Sequence, residues 1–242
     1  MNDWLQVNRD PLVVPSRERS AEIFGDEKAL DRLIGTTLFT PDRLSLELLR
    51  CRRVVPRLHC EPVGKGSVLL IVENSDTFDS LVTVLRKRND HRVGLVGWGA
   101  GTGFEASVLS IANFGRTIAE VSYFGDIDEN GLRIPANAAL IAGGAGLPLV
   151  RPATGLYSAL FSLGDPQPGQ RSVPTDIAAS VAAWLDPVHR EEAARLLSGG
   201  WRLAQEQVGL SYILRSDDWL GGIGETEAGQ YPRTKVTQQE EG

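Results

Sequence analysis

Histidine and cysteine are both scarce in this chain, with three of the first and two of the second in 242 residues. His59, His91 and His189 are scattered and form no HxxxH-type pair on a helix face, and Cys51 and Cys60 lack metal-ligand spacing, so zinc is not expected. So few cysteines fit reduced thiols better than a disulfide framework. Long apolar runs are missing too: none reaches the roughly 18 residues needed to cross a bilayer. Met1-Asn2-Asp3-Trp4 lacks the basic and then apolar segments of a secretion signal. A cytoplasmic protein with no membrane partner is the expectation. No P-loop Lys-Ser or Lys-Thr occurs, so energy from ATP would have to come from a partner.

Positive charge is not in excess either. The net charge of −6 argues against binding nucleic acid by bulk attraction alone, because that mode neutralises phosphates with Lys and Arg. Local basic clusters remain at Arg50, Arg52, Arg53 and Arg57, and at Arg86-Lys87-Arg88 with Arg92. Each also reads as the solvated end of a helix, where cations suit the macrodipole.

What the chain does have is apolar sequence for one large core, 42% of its residues. Residues 1–15 are polar and read as an arm. A lead-in of helices and a short strand follows over 16–66, with a helix start at Thr40-Pro41-Asp42 ahead of Leu44, Leu46, Leu48 and Leu49. Over 67–150, strands and helices alternate: strand Val68–Val72, helix Asp76–Lys87, strand Arg92–Val96, helix Phe104–Ala112, strand Ile118–Phe124 and helix Gly131–Ala142. That alternation predicts an α/β fold with a parallel sheet. Residues 151–220 read as helical, over Thr154–Leu163, Asp176–Leu185, Pro187–Leu197 and Trp201–Gln207. From Gly221 to Gly242 the Gly-, Glu- and Gln-rich composition predicts a disordered tail.

Two acidic groups close the buried-strand runs: Glu73 after Val68–Val72, and Asp126 with Asp128 after Ile118–Phe124. In an open parallel sheet the carboxyl ends of the strands form the ligand crevice, so acids from two strands can converge there on a hard cation. Singly, each has a plainer reading, Glu73 as a polar turn residue and Asp126/Asp128 as an Asx-type turn. Gly125 and Gly131 bracket the pair and would let backbone approach a ligand. The loop Gly97-Trp98-Gly99-Ala100-Gly101-Thr102-Gly103 fails the G-x-G-x-x-G pattern, but its Gly99 and Gly101 could cradle a phosphate.

Glu73-Asn74 together with Gly125-Asp126-Ile127-Asp128-Glu129-Asn130-Gly131-Leu132-Arg133-Ile134 resembles a Toprim domain, and most nearly that of the topoisomerase VI A subunit. More narrowly, Arg17-Glu18-Arg19-Ser20, Phe24-Gly25-Asp26-Glu27-Lys28, Thr77-Phe78, the Gly97 loop, Tyr123-Phe124 and Arg202-Leu203 with Gln205-Glu206 add to these residues. The whole set, from about Val14 to Leu214, is similar to the C-terminal domain of the nuclease subunit of Wadjet systems, condensin-like complexes that defend bacteria against plasmids. The resemblance implies a Toprim-type parallel-rich sheet flanked by helices, with a helical C-terminal extension. It implies Mg²⁺ or Mn²⁺ held by Glu73, Asp126 and Asp128, with Glu206 a further candidate. It also implies hydrolysis of double-stranded plasmid DNA beside a condensin-like SMC ATPase complex, by a homodimer, since cutting both strands needs two sites.

Two departures qualify the likeness. Such proteins usually carry a DNA-binding region ahead of this domain, whereas a short arm precedes Val14 here, and Ala204 stands where an acid is expected. The alternatives are a DNA- or partner-binding Toprim module that does not cut, and a topoisomerase VI-like fragment that attacks through tyrosine.

Overall fold

The computed structural model describes residues 1–40, 42–169 and 171–224. The chain divides into two compact units, Met1–Val55 and a second that begins at Pro56. In the first unit, helices Asn2–Val7, Ser16–Phe24 and Ala29–Ile34 and a parallel pairing of Val14–Pro15 with Cys51–Arg52 surround Leu30, Leu44, Leu49 and Cys51. The helix expected after Thr40 is replaced by turns, and Pro41 itself lies outside the described residues. Short local turns already bury Leu44 and Leu49 there, and Ser45 Oγ takes the Leu48 N–H at 3.0 Å.

The second unit is built on five strands: β1 (His59–Pro62), β2 (Val68–Val72), β3 (Val93–Trp98), β4 (Glu120–Phe124) and β5 (Val150–Pro152). Their order across the sheet is β1-β3-β2-β4-β5. All neighbours are parallel except β1, which runs antiparallel along the edge. The helices are α1 (Ser75–Leu85), α2 (Gly103–Ser107), α3 (Glu129–Gly144), α4 (Thr154–Leu163), α5 (Thr175–Ala182), α6 (Pro187–Ser198) and α7 (Leu210–Arg215). The α/β architecture with a mostly parallel sheet flanked by helices is as the sequence predicts.

Strand β2 shows no polar alternation because both of its faces are covered. Val68, Leu70 and Val72 pack in one core with Leu81 and Leu85 of α1 and Leu156 and Leu160 of α4. Leu69 and Ile71 pack in the opposite core with Phe104 of α2 and with Ile134 and Ala138 of α3. Asn74 caps α1 by accepting the Asp76 N–H at 2.9 Å, and Asp128 caps α3 by accepting the Gly131 N–H at 2.7 Å. That cap starts α3 at Glu129, ahead of the Gly131 start read from sequence, and Pro135 is accommodated inside the helix.

Five other stretches differ from expectation. His59–Pro62, read as part of a lead-in, is the edge strand of the sheet. Val150–Pro152 adds a strand where a helical pattern was expected to begin. The helix expected over Phe104–Ala112 ends at Ser107 and continues as 3-10 turns to Asn113.

The fourth difference matters most for the site. Trp201–Gln207 is not an α-helix: Gly200, at φ +76, ends the turn after α6, Trp201–Arg202 then pairs antiparallel with Gln167–Pro168, and a single 3-10 turn spans Gln205–Gln207. Gly221–Gly224, expected as the start of a loose tail, dock on the core instead. Gly155 N–H donates to Gly221 O at 2.9 Å, Gly224 N–H donates to Glu120 Oε1 at 2.9 Å, and Ile223 is buried. Residues 225–242 of the expected tail lie outside the described residues. Among the described residues no helix is long and apolar enough to cross a membrane.

Candidate functional site

Strands β2 and β4 are adjacent, parallel and in register, with Val72 opposite Phe124, so the chain leaves both at the same edge of the sheet. Glu73 N–H donates to Phe124 O at 3.1 Å, which extends the ladder and brings Glu73 beside Gly125. A Cβ on Gly125 would lie 2.6 Å from Glu73 Oε2 and 2.9 Å from Tyr123 Cε1. Gly131 is tighter still, because a Cβ there would run into the Asp126 carbonyl oxygen. These glycines, expected to let a ligand approach, make room within the protein for Glu73 and for the Asp126–Asp128 segment.

Beyond Gly125 the backbone stays extended because Ile127 pairs with Leu203: the Ile127 N–H donates to Leu203 O at 2.9 Å and the Leu203 N–H to Ile127 O at 3.2 Å. Ile127 is fully buried, so the period of two puts Asp126 and Asp128 on the other side of this short stretch. Asp126 Oδ1 accepts the Gln205 N–H at 2.9 Å, and Asp126 Oδ2 faces Arg202 Nη1 at 3.5 Å. The segment Arg202–Glu206 thereby forms a wall of the site. Glu206, exposed at the rim, accepts a hydrogen bond from Asn74 Nδ2.

The acids feel one another. Burial, then the charges of Asp126 and Asp128, push the Glu73 carboxyl up to about 7, against the pull of the Asp126 N–H and the Tyr123 hydroxyl. Tyr123 Oη stands 3.5 Å from Glu73 Oε2, too long for a strong bond. Asp126 is raised as well, by burial and by the charges of Asp128 and Glu206, while the Gln205 N–H and Arg202 oppose the rise.

Glu73, Asn74, Trp98, Gly101, Asp126 and Gln205 line an open groove of about 450 Å³. Trp98 forms its lip, held by a 2.9 Å bond from its indole N–H to Glu73 O. In the glycine loop, Gly99 N–H is tied to Val72 O at 2.8 Å, whereas Gly101, at φ +61, faces the groove. Ala100 precedes it at φ +50, a conformation that strains a residue with a Cβ. Gln205 is 1% exposed, and its side-chain oxygen is buried without a partner among the described residues. Such an acceptor is costly to leave bare.

Oxygen donors alone, with mutual repulsion among carboxylates, suit a hard divalent cation in charge and donor type. As the side chains stand, no three His, Cys, Asp or Glu among the described residues form a ready ligand set. One oxygen each of Asp126 and Asp128 is committed to a backbone N–H, so a cation would have to draw in the remaining oxygens.

Residues 36–140 match the family model described as Wadjet protein JetD, C-terminal. The match spans less than half of the chain; it contains Glu73, Asp126 and Asp128 and stops short of Arg202–Glu206. No curated protein and no solved structure matches the chain.

The structure thus brings Glu73, Asp126 and Asp128 into electrostatic contact, sets Glu206 at the rim and puts Gly101, but not Gly99, on the groove. The roles of Asn74, Trp98, Arg202 and Gln205 escape a reading by strand ends, since none is an acid at the end of a β-run. Asn74 has two duties, capping α1 and holding Glu206. Asn74→Ala is expected to lower stability by about 1 kcal/mol, read as a shift of the urea midpoint with an unchanged slope.

Proposed function

We propose that the chain is the nuclease component of a Wadjet-type defence system, a Toprim-fold endonuclease that hydrolyses plasmid DNA with Mg²⁺ or Mn²⁺. The observation that carries this reading is the register of β2 and β4, which delivers Glu73 and Asp126 to the same edge and drives the Glu73 carboxyl up to about 7. The match of residues 36–140 to the Wadjet family supports it.

Glu73, Asp126 and Asp128 would hold the cation, which when bound supplies charge to offset that growing on the scissile phosphate and makes a bound water more acidic. The chain's own groups do the rest. Arg202 and the Gln205 N–H keep Asp126 in place, and Trp98 and Gly101 bound the groove that admits the strand. Where Asp126 and Asp128 alone hold the cation, Glu73 would instead take a proton from an attacking water. Tyr123 and Tyr157 are fully buried and their hydroxyls are held above the ordinary phenol range, first by burial, so neither is placed to attack a phosphate, and water is the proposed nucleophile. Cleavage of both strands would use two copies of the chain, and the ATPase work would fall to a condensin-like partner.

A second reading is favoured by one observation, the lack of a ready three-carboxylate ligand set among the described residues. In it the chain keeps the fold, binds DNA or a partner, and cuts nothing. Incubation with supercoiled plasmid under Mg²⁺, Mn²⁺ or chelator, alone and with its ATPase partners, separates the two. Nicking that needs the cation, leaves no protein attached to the DNA and is lost with chelator is expected. No cation binding by calorimetry, together with no nicking in the assembled complex, would leave the binding module.

A further inference from the structure

Asp128, which does not line the groove, lines a second cleft of about 380 Å³ together with Glu129, Asn130, Arg133, Arg171 and Trp201. Two of its features are of the kind that recognises a nucleotide. Trp201 is 43% exposed, yet its ring is backed by the chain: a Cβ on Gly199 would lie 2.8 Å from Trp201 Cδ1, and Trp201 is fixed in the two-residue pairing with Pro168. A large aromatic face that is both rigid and open is a stacking platform for a base. Arg133 projects from the first turns of α3, forms no ion pair with a carboxylate among the described residues and donates to the amide oxygen of Asn130 at 2.5 Å. Arg171 is exposed and engages Glu129 at 3.3 Å, a weak surface pair that a phosphate can replace.

The stacking face decides between duplex and single strand. A base can lie flat on the Trp201 indole only where it is not already stacked within a duplex, so the cleft suits an unpaired nucleotide.

We propose that this cleft is a single-nucleotide subsite: Arg133 and Arg171 take a phosphate of the strand, and the Trp201 indole stacks on its base, with Asp128 of the acid group in the cleft wall. The inference rests on the nuclease reading for its meaning, as the place where one unpaired nucleotide beside the cut is held. The chain then prefers DNA that is nicked, frayed or locally opened to intact duplex.

The test is equilibrium binding by the full chain, followed by fluorescence anisotropy in chelator so that nothing is cut, of a labelled single-stranded 12-mer and of its duplex. The wild type is expected to bind the single strand more tightly. Trp201→Ala and Arg133→Ala should each weaken single-strand binding about tenfold, the cost of losing one stacked base or one phosphate contact, and move duplex binding less. Trp201→Phe, which keeps an aromatic face and the packing against Gly199, should retain most of the affinity. Equal binding by wild type, Trp201→Ala and Arg133→Ala, or no binding of the single strand by wild type, overturns the subsite. The two readings fail separately. Binding differences without plasmid cutting keep the subsite and remove the nuclease, and cutting with unchanged binding does the reverse.

Discussion

Glu73→Gln is expected to abolish plasmid nicking while making the cation-free protein harder to unfold above about pH 7. The loss of activity follows from removing a group placed to ligate the cation or accept a proton, and general bases contribute about 10²–10⁴-fold. The gain in stability follows from the raised carboxyl. Glu73 titrates near 7 in the folded chain against 4.5 for an ordinary glutamate, so between those values the folded state holds a proton that the unfolded state has released. Stability therefore falls as pH rises through that window. Above it both states are ionised and the folded chain carries the full penalty, up to about 3 kcal/mol. Glutamine has no charge to bury, so the variant escapes the penalty at pH 8 and matches the wild type below pH 4.5. Urea unfolding at the two pH values in chelator reads the difference. Adding Mg²⁺ should narrow it, because a ligand of the folded state stabilises the wild type by mass action. If the variant is no more stable than the wild type at the higher pH, the repulsion among the acids is not what the geometry indicates.

The paired substitutions Gly125→Ala and Gly131→Ala should part company. At Gly125 the new methyl meets the Glu73 carboxylate at 2.6 Å, the end of a side chain that can swing aside, and the buried Tyr123 ring at 2.9 Å, which must shift by a few tenths of an ångström. Folding is expected to survive with a smaller loss of stability than at Gly131, while displacement of Glu73 costs about 10²-fold in nicking, as misplacement by about 1 Å does elsewhere. At Gly131 the methyl meets the Asp126 carbonyl, which is backbone and is held by the Ile127–Leu203 pairing. That change should lower stability by about 1–3 kcal/mol and take activity with it. Thermal melts beside nicking assays distinguish the two, and equal melting temperatures for both variants would contradict the geometry.

The acids could be read from sequence because each closes an apolar run that must be a buried strand. Val68–Val72 and Ile118–Phe124 have no other comfortable place than the middle of a parallel sheet, and ligand crevices open where such strands end. The wall formed by Arg202–Glu206 was not legible in the same way. Its apolar residues, Trp201 and Leu203, are too few to show a period, and its conformation is set by Gly200 behind it and by Ile127, far away in the chain. The same limit holds at short range: the Leu44–Leu49 spacing invites a helix, whereas short turns suffice to bury Leu44 and Leu49. Gly221–Gly224 looked like solvent-exposed tail because glycine has no side chain to bury, although its backbone satisfies Gly155 and Glu120.

The closure of the groove by Arg202–Glu206 bears on the order in which the molecule is made. Gln205 follows Asp126 by 79 residues and Glu206 follows Asn74 by 132. During synthesis the three carboxylates leave the ribosome first, and at roughly 5–20 residues per second the peptide that braces Asp126 arrives several seconds later. Until then a growing polypeptide holds its acids without their brace, and the groove reaches its final shape only when that last wall docks.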